Sequence, residues 1–105
     1  MKSKGKYYLV EEAENFVVDV TEDIKEAVKF YAFWSERQSR FDNASVYYSE
    51  KEYNEGEMIG PEALCLLSVY HYPTDEPRLH REKFKEIRQE DCQVLEKALP
   101  ELRTW

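Results

Sequence analysis

Cys65, His71, His80 and Cys92 carry the side chains from which a short chain most readily builds a metal centre or a nucleophile. Thiolates and imidazoles suit zinc. Their separations of 6, 9 and 12 residues match no compact ligand framework, and Cys65 lies inside the apolar run ALCLLSV, where it reads as a small core hydrophobe. No metal site is expected. As a nucleophile, Cys92 needs a base such as His71 or His80 and a third group to orient that base. Its neighbour Asp91 projects about 100° away on a helix. The chain has no GxSxG elbow, no HExxH and no phosphate-cradling loop, and its three glycines are Gly5, Gly56 and Gly60. Its carboxylates cluster on expected turns, solvated and without an apolar pocket to tune them for acid catalysis. No catalytic residue and no cofactor are assigned, and the chain is not expected to be an enzyme.

Acids and tyrosines form the stronger pattern. The stretch SVYYSEKEYNEGEMIGPE holds Glu50, Glu52, Glu55, Glu57 and Glu62 against a lone Lys51. A second acidic tip, Glu11, Glu12 and Glu14, lies between two β-rich runs. Tyr7, Tyr8, Tyr47, Tyr48, Tyr53, Tyr70 and Tyr72 fall on expected strands, where adjacent tyrosines face opposite sides. Helices on one sheet face would leave the other carrying tyrosines framed by carboxylates, a composition found at protein interfaces. Tyrosine also simply favours strands. The surrounding charge has the wrong sign for stacking on RNA.

The last helix offers a counter-pattern. Arg78, Arg81, Lys85 and Arg88 lie within about an 80° arc at helical pitch. They read either as a grip for phosphate or acidic side chains, or as a solvated flank of ordinary charge pairs. Asp91 interrupts the apolar face of that helix, so it is either buried with a partner or caps a new helix at a bend in RQED. Phe33 projects among Glu26, Lys29 and Glu36, and is expected either under cover from another part of the chain, the reading preferred here, or exposed to a partner.

These residues need elements to hold them. KYYLV and FVVDV, joined by EEAEN, read as a hairpin. Thr21 is the expected N-cap of a helix whose Ile24, Ala27, Val28, Tyr31 and Trp34 share one face. SVYYSEKEY and ALCLLSVYHYP read as two further strands, joined by an exposed hairpin through NEGEMIGPE. From Arg78 the pattern is helical to about Leu99, with His80, Phe84, Ile87, Asp91, Val94, Leu95 and Ala98 on one face. Pro100 ends it, with Leu102 and Trp105 expected to fold back on the core. The expected fold is α+β: an antiparallel sheet of about four strands in ββαββα order, with two helices packed on one face. The alternative makes residues 61–72 or 43–53 helical, giving a mostly helical domain with one N-terminal hairpin. Residues 1–5 read as a mobile basic leader and 6–105 as a single globular domain.

The 105 residues carry a net charge of −7, which argues against direct binding of nucleic acid or anionic membrane. No apolar run approaches the roughly 20 residues that span a bilayer, so the expected address is cytoplasmic, with both cysteines reduced. The leading functional expectation is an acidic protein-binding module. Such a chain would act as an immunity or inhibitor protein occupying a basic site on a toxin, nuclease or nucleic-acid-binding protein. Its expected contacts are Glu11, Glu12, Glu14, Tyr48, Glu50, Glu52, Tyr53, Glu55, Glu57 and Phe33. The alternatives are a self-associating subunit without catalytic activity, and a small enzyme or ligand-binder using Cys92, His71 and His80.

Overall fold

A computed structural model describes residues 5–11, 14–37, 44–68 and 76–102. The first two strands, β1 (Lys6–Glu11) and β2 (Phe16–Thr21), form the expected hairpin. Asn15 closes it at φ 62°, a left-handed conformation that asparagine tolerates, and donates its N–H to the Glu11 carbonyl at 2.8 Å. Helix α1 (Ile24–Arg37) follows, then β3 (Ala44–Ser49), β4 (Leu64–Ser68), α2 (Glu76–Ile87), α3 (Gln89–Ala98) and a 3₁₀ turn at Leu99–Glu101. The strands run in the order β2-β1-β3-β4, each antiparallel to its neighbours. The α+β fold is as expected, with the last helix divided in two. Residues 44–49 and 64–68 are strands, so the mostly helical alternative does not hold for them.

The sheet separates two cores. Tyr7, Leu9, Val46 and Tyr48 face Ile24, Ala27 and Tyr31 of α1, Phe84 of α2, and Cys92 and Leu95 of α3. Tyr8, Val10 and Val17 face the other way, together with Tyr47, Tyr53 and Ile59. Each tyrosine pair therefore splits across the sheet, as strand alternation requires. A bulge between Val46 and Tyr47 leaves Leu66 unpaired, and both Leu66 and Leu67 reach the helix-side core.

Several boundaries differ from expectation for local reasons. Asp23, not Thr21, caps α1: its carboxylate accepts the Lys25 N–H at 2.9 Å, while the Thr21 hydroxyl accepts the Asp23 N–H at 3.1 Å. Strand β3 ends at Ser49, whose hydroxyl accepts the Lys51 N–H at 3.1 Å and turns the chain out of the sheet. The long helix breaks at Arg88 (φ −138°, ψ 79°), the first residue of RQED, so the bend lies in the expected stretch but Arg88 rather than Asp91 stands at the cap. Phase is lost there, so Ile87 is 42% exposed while Arg88 turns toward the sheet. Leu102 packs on the core as expected, joined by Leu99; Trp105 lies outside the described residues. Of the leader, residues 1–4 lie outside the described residues, whereas Gly5 is buried and a Cβ there would overlap the Tyr48 ring.

Candidate functional site

Residues 50–63 do not form the exposed hairpin tip expected of them. They cross the outer face of the sheet, bond to the free edge of β2 and come back to start β4 beside β3. Two phenols clasp them. The Tyr8 hydroxyl donates to the Lys51 carbonyl at 3.2 Å and accepts the Tyr53 N–H at 3.2 Å. The Tyr53 hydroxyl donates to the Glu62 carboxylate and accepts the Gly60 N–H at 3.2 Å. The two rings meet edge to face, with centroids 5.4 Å apart. Farther on, Val17 N–H donates to Glu57 O and Gly56 N–H to Val17 O, both at 2.8 Å, and Ile59 N–H reaches Asn15 O at 2.9 Å. Met58 thus faces Phe16 in an antiparallel bridge. Gly56 turns at φ 88°, which favours glycine.

This cover decides what the outer face shows. Tyr8 is 1% exposed and Tyr53 7%, so among the described residues the outer face is not the open sheet of tyrosines expected; Tyr70 and Tyr72 lie outside the described residues. Tyr48 sits in the opposite core at 2% exposure, its ring 5.7 Å from Tyr7 and 5.2 Å from Phe84. Neither Tyr48 nor Tyr53 presents its ring as a contact, contrary to expectation, because Tyr48 points from β3 into the core beneath the helices and Tyr53 packs from the cover onto Tyr8. The acids do face water: Glu14, Glu50, Glu52, Glu55, Glu57 and Glu62 are exposed. Three of the expected acids are also engaged locally. Glu11 accepts the Glu14 N–H at 2.9 Å, Glu57 accepts the Asn54 N–H at 2.7 Å, and Glu52 pairs with Lys6 at 3.1 Å. That last contact raises the Lys6 ammonium above its usual range, through the hydrogen bond first and the charge second. Glu12 lies outside the described residues. Met58 stands exposed among the acids, a position no periodicity in the sequence singles out.

Between the cover, β3 and α2 lies an open cleft of ≈ 320 Å³, lined by Asn15, Tyr47, Ile59, Gly60, Ala63 and His80 among others. His80 reaches it from α2 and its Nδ1 accepts the Cys65 N–H at 2.9 Å. One turn of contacts along, the Arg81 guanidinium donates to the Leu66 carbonyl at 2.9 Å. Both residues satisfy the outer edge of β4, and burial holds Arg81 below its usual range, with Arg78 adding to the effect. The basic ribbon is thus divided. Arg78 and Lys85 are exposed, while Arg81 and Arg88 turn inward.

Arg88 organises the other end of the sheet. Its guanidinium donates to the Gly5 carbonyl at 2.8 Å and to the Tyr7 hydroxyl at 3.4 Å, and lies 5.1 Å from the Tyr48 ring centroid. The Tyr7 hydroxyl donates to Asp91, which also lies 3.6 Å from Arg88. Asp91 is therefore paired, and sits in the first turn of α3 rather than at its cap. Burial, reinforced by Asp91, pushes the Tyr7 phenol far up, so it stays a donor. Burial opposes the charge on Arg88 and is the largest single effect, but the bond to Tyr7 and the fields of Tyr7, Tyr48 and Asp91 together hold it above its usual range.

Among the described residues, Cys65, His80 and Cys92 form no metal-binding cluster. Cys92 is buried, with its Sγ 3.8 Å from the Arg81 carbonyl and 3.6 Å from a Glu96 carboxylate oxygen. Burial and Glu96 push its thiol up to about 11, away from the thiolate a nucleophile needs. Cys65 lies 3.7 Å from the Leu67 carbonyl, and His71 is outside the described residues. Among the described residues, no three His, Cys, Asp or Glu side chains converge to hold a metal, and no helix is long and apolar enough to cross a membrane. No family model, curated protein or solved structure matches the chain.

Proposed function

We propose that this chain is a protein-binding module whose acidic cover, residues 50–63, occupies a basic site on a partner, as an immunity or inhibitor protein occupies a toxin or nuclease. The observation that carries this reading is the way the cover is held. Its backbone is bonded to Tyr8, Asn15 and Val17 and Tyr53 packs inward, while Glu50, Glu55 and Glu57 point to water. A surface already ordered before contact loses little conformational freedom on binding. Its charge, on a chain of net −7, steers it toward positive surfaces. The test is capture of partners from native lysate at low and high salt, with Glu50, Glu55 and Glu57 reversed to lysine in parallel. A stoichiometric partner lost both at high salt and on charge reversal supports the reading. Retention of that partner by the reversed variant ends it.

A second reading is a self-associating subunit, favoured by Phe33, which is 52% exposed on α1 despite the expectation that it is covered. The open sheet face that this reading also drew on is occupied by the cover. Light scattering over a dilution series separates the two, since a strict monomer at micromolar concentration leaves only the binding module.

A further inference from the structure

We propose that α1 pairs antiparallel with α1 of a second copy of this chain, about a two-fold axis passing between Phe30 and Phe33. The inference rests on the self-association reading and specifies its surface and geometry.

Phe33 is 52% exposed on α1, and Phe30, one turn earlier, is half-buried at the margin of the core. Glu26, Phe30, Phe33 and Arg37 follow one another at steps of four, three and four residues along the helix. At helical pitch that places them within about a 60° arc. Alternating steps of three and four are the spacing by which one helix presents a seam to another. On one side the seam is flanked by Ala27 and Trp34, which pack on this chain's own core. On the other side its flanking positions are Lys29 and Glu36. The helix dipole accounts for an acid in the first turn and a base at the end of α1. It does not account for an exposed phenylalanine between them.

The charges select the occupant. About an axis between Phe30 and Phe33, position 30 of one helix meets position 33 of the other, and position 26 meets position 37. In the flanking row, position 29 comes opposite position 36. Each of these meetings joins opposite signs, Glu26 with Arg37 and Lys29 with Glu36, and each occurs twice because a two-fold interface uses the same patch on both copies. Parallel pairing would instead set Glu26 on Glu26 and Lys29 on Lys29. A surface whose acids and bases exchange places under a two-fold rotation is complementary to itself, a property that a foreign partner does not require. The phenylalanines supply the apolar contact and the ion pairs fix its direction, since exposed pairs contribute little energy by themselves.

The arrangement is compatible with binding through the acidic cover. Helix α1 packs on one core of the sheet and the cover encloses the other, so a dimer through α1 leaves both covers accessible. Each particle would then carry two acidic surfaces, which strengthens attachment to a partner with repeated basic sites. One helix from each copy forms a small interface, and a dissociation constant on the order of ten micromolar is expected.

The test is sedimentation equilibrium of the full chain from about 0.3 to 300 µM, a range that brackets that constant. The expected result is an average mass that climbs from that of a monomer toward twice that value. Phe33→Ser and Lys29→Glu should each weaken association about tenfold or more, with circular dichroism confirming that the variants fold. Combining Lys29→Glu with Glu36→Lys exchanges the two charges and should restore association to within about threefold of the original. Failure of that rescue overturns the antiparallel pairing. A dimer indifferent to both Phe33→Ser and Lys29→Glu leaves self-association standing through another surface and removes this interface. A monomer throughout the range removes both, and leaves the acidic cover to be judged by the lysate experiment alone.

Discussion

Tyr7, Arg88 and Asp91 show how far a single residue's role depends on what meets it. Asp91 interrupts an apolar helical face, and it sits there because a buried phenol and a guanidinium supply its partners. Removing one member leaves the others less satisfied, which costs more than the bond itself contributes. Tyr7→Phe is expected to lower stability by about 1–3 kcal/mol, the usual cost of unpairing a buried group. Asp91→Asn should cost somewhat less, because an amide oxygen can still accept from Tyr7. The two changes share one hydrogen bond, so their effects should fall short of adding by at least about 0.5 kcal/mol in a double-mutant cycle read by urea unfolding. Full additivity would mean that the Tyr7–Asp91 contact contributes nothing. The pairing of Asp91 with a partner, or its place near a helix bend, was legible as two alternatives in the sequence. Tyr7 as that partner was not, because 84 residues separate the two.

At the scale of elements, the two open edges of the sheet explain residues that periodicity left unexplained. A bare strand edge is a template for pairing with another chain. The edge of β2 is bonded by Gly56, Glu57 and the bridge at Met58, and the edge of β4 by His80 and Arg81. The arginine row of α2 looked like a surface feature because helical pitch reports which residues share a face, not which face turns inward. Arg81 turns inward because the β4 edge needs donors that an apolar side chain cannot supply. Arg81→Leu keeps much of the packing but leaves the Leu66 carbonyl without its donor, so α2 should loosen from β4. The expected outcome is concentration-dependent association seen by light scattering, absent in wild type under the same conditions, together with faster amide exchange in β4. A variant that stays as monomeric and as protected as wild type would show that α2 shields the edge by its bulk alone.

For the whole molecule, burial of ionisable groups sets a limit on the alkaline side. The folded state raises the Cys92 thiol from 9.0 to about 11, chiefly by burial, and raises the Tyr7 and Tyr8 phenols in the same direction. A group whose pKa is higher when folded holds its proton more tightly in that state. Its contribution is therefore intact below the unfolded pKa and is lost as pH climbs to the folded value. Stability to urea should hold up to about pH 9 and decline between about 9 and 11 as Cys92 loses its share, with the phenols joining from about pH 10, their value in the unfolded chain. Cys92→Ala should flatten the first part of that decline, even if its midpoint at neutral pH is lower. An equally steep decline in Cys92→Ala would assign the effect to the phenols.

The sequence by itself determined the class of fold, the strand and helix order, the split of each tyrosine pair across the sheet, and the concentration of acid in residues 50–57. Each of these follows from local rules: side-chain periodicity, turn residues and charge. Tertiary structure alone decided that residues 50–63 cover the sheet instead of forming a hairpin tip, that Tyr48 and Tyr53 are buried, and that Lys6 pairs with Glu52. Residues 50–63 follow no repeating pattern because they are neither strand nor helix. They are held by backbone bonds to Asn15 and Val17 and by the Tyr8 phenol, contacts between residues 39 or more positions apart, with Tyr53 bonding within the segment itself. Periodicity reports which way a side chain points within an element; only the packed chain shows what it meets there.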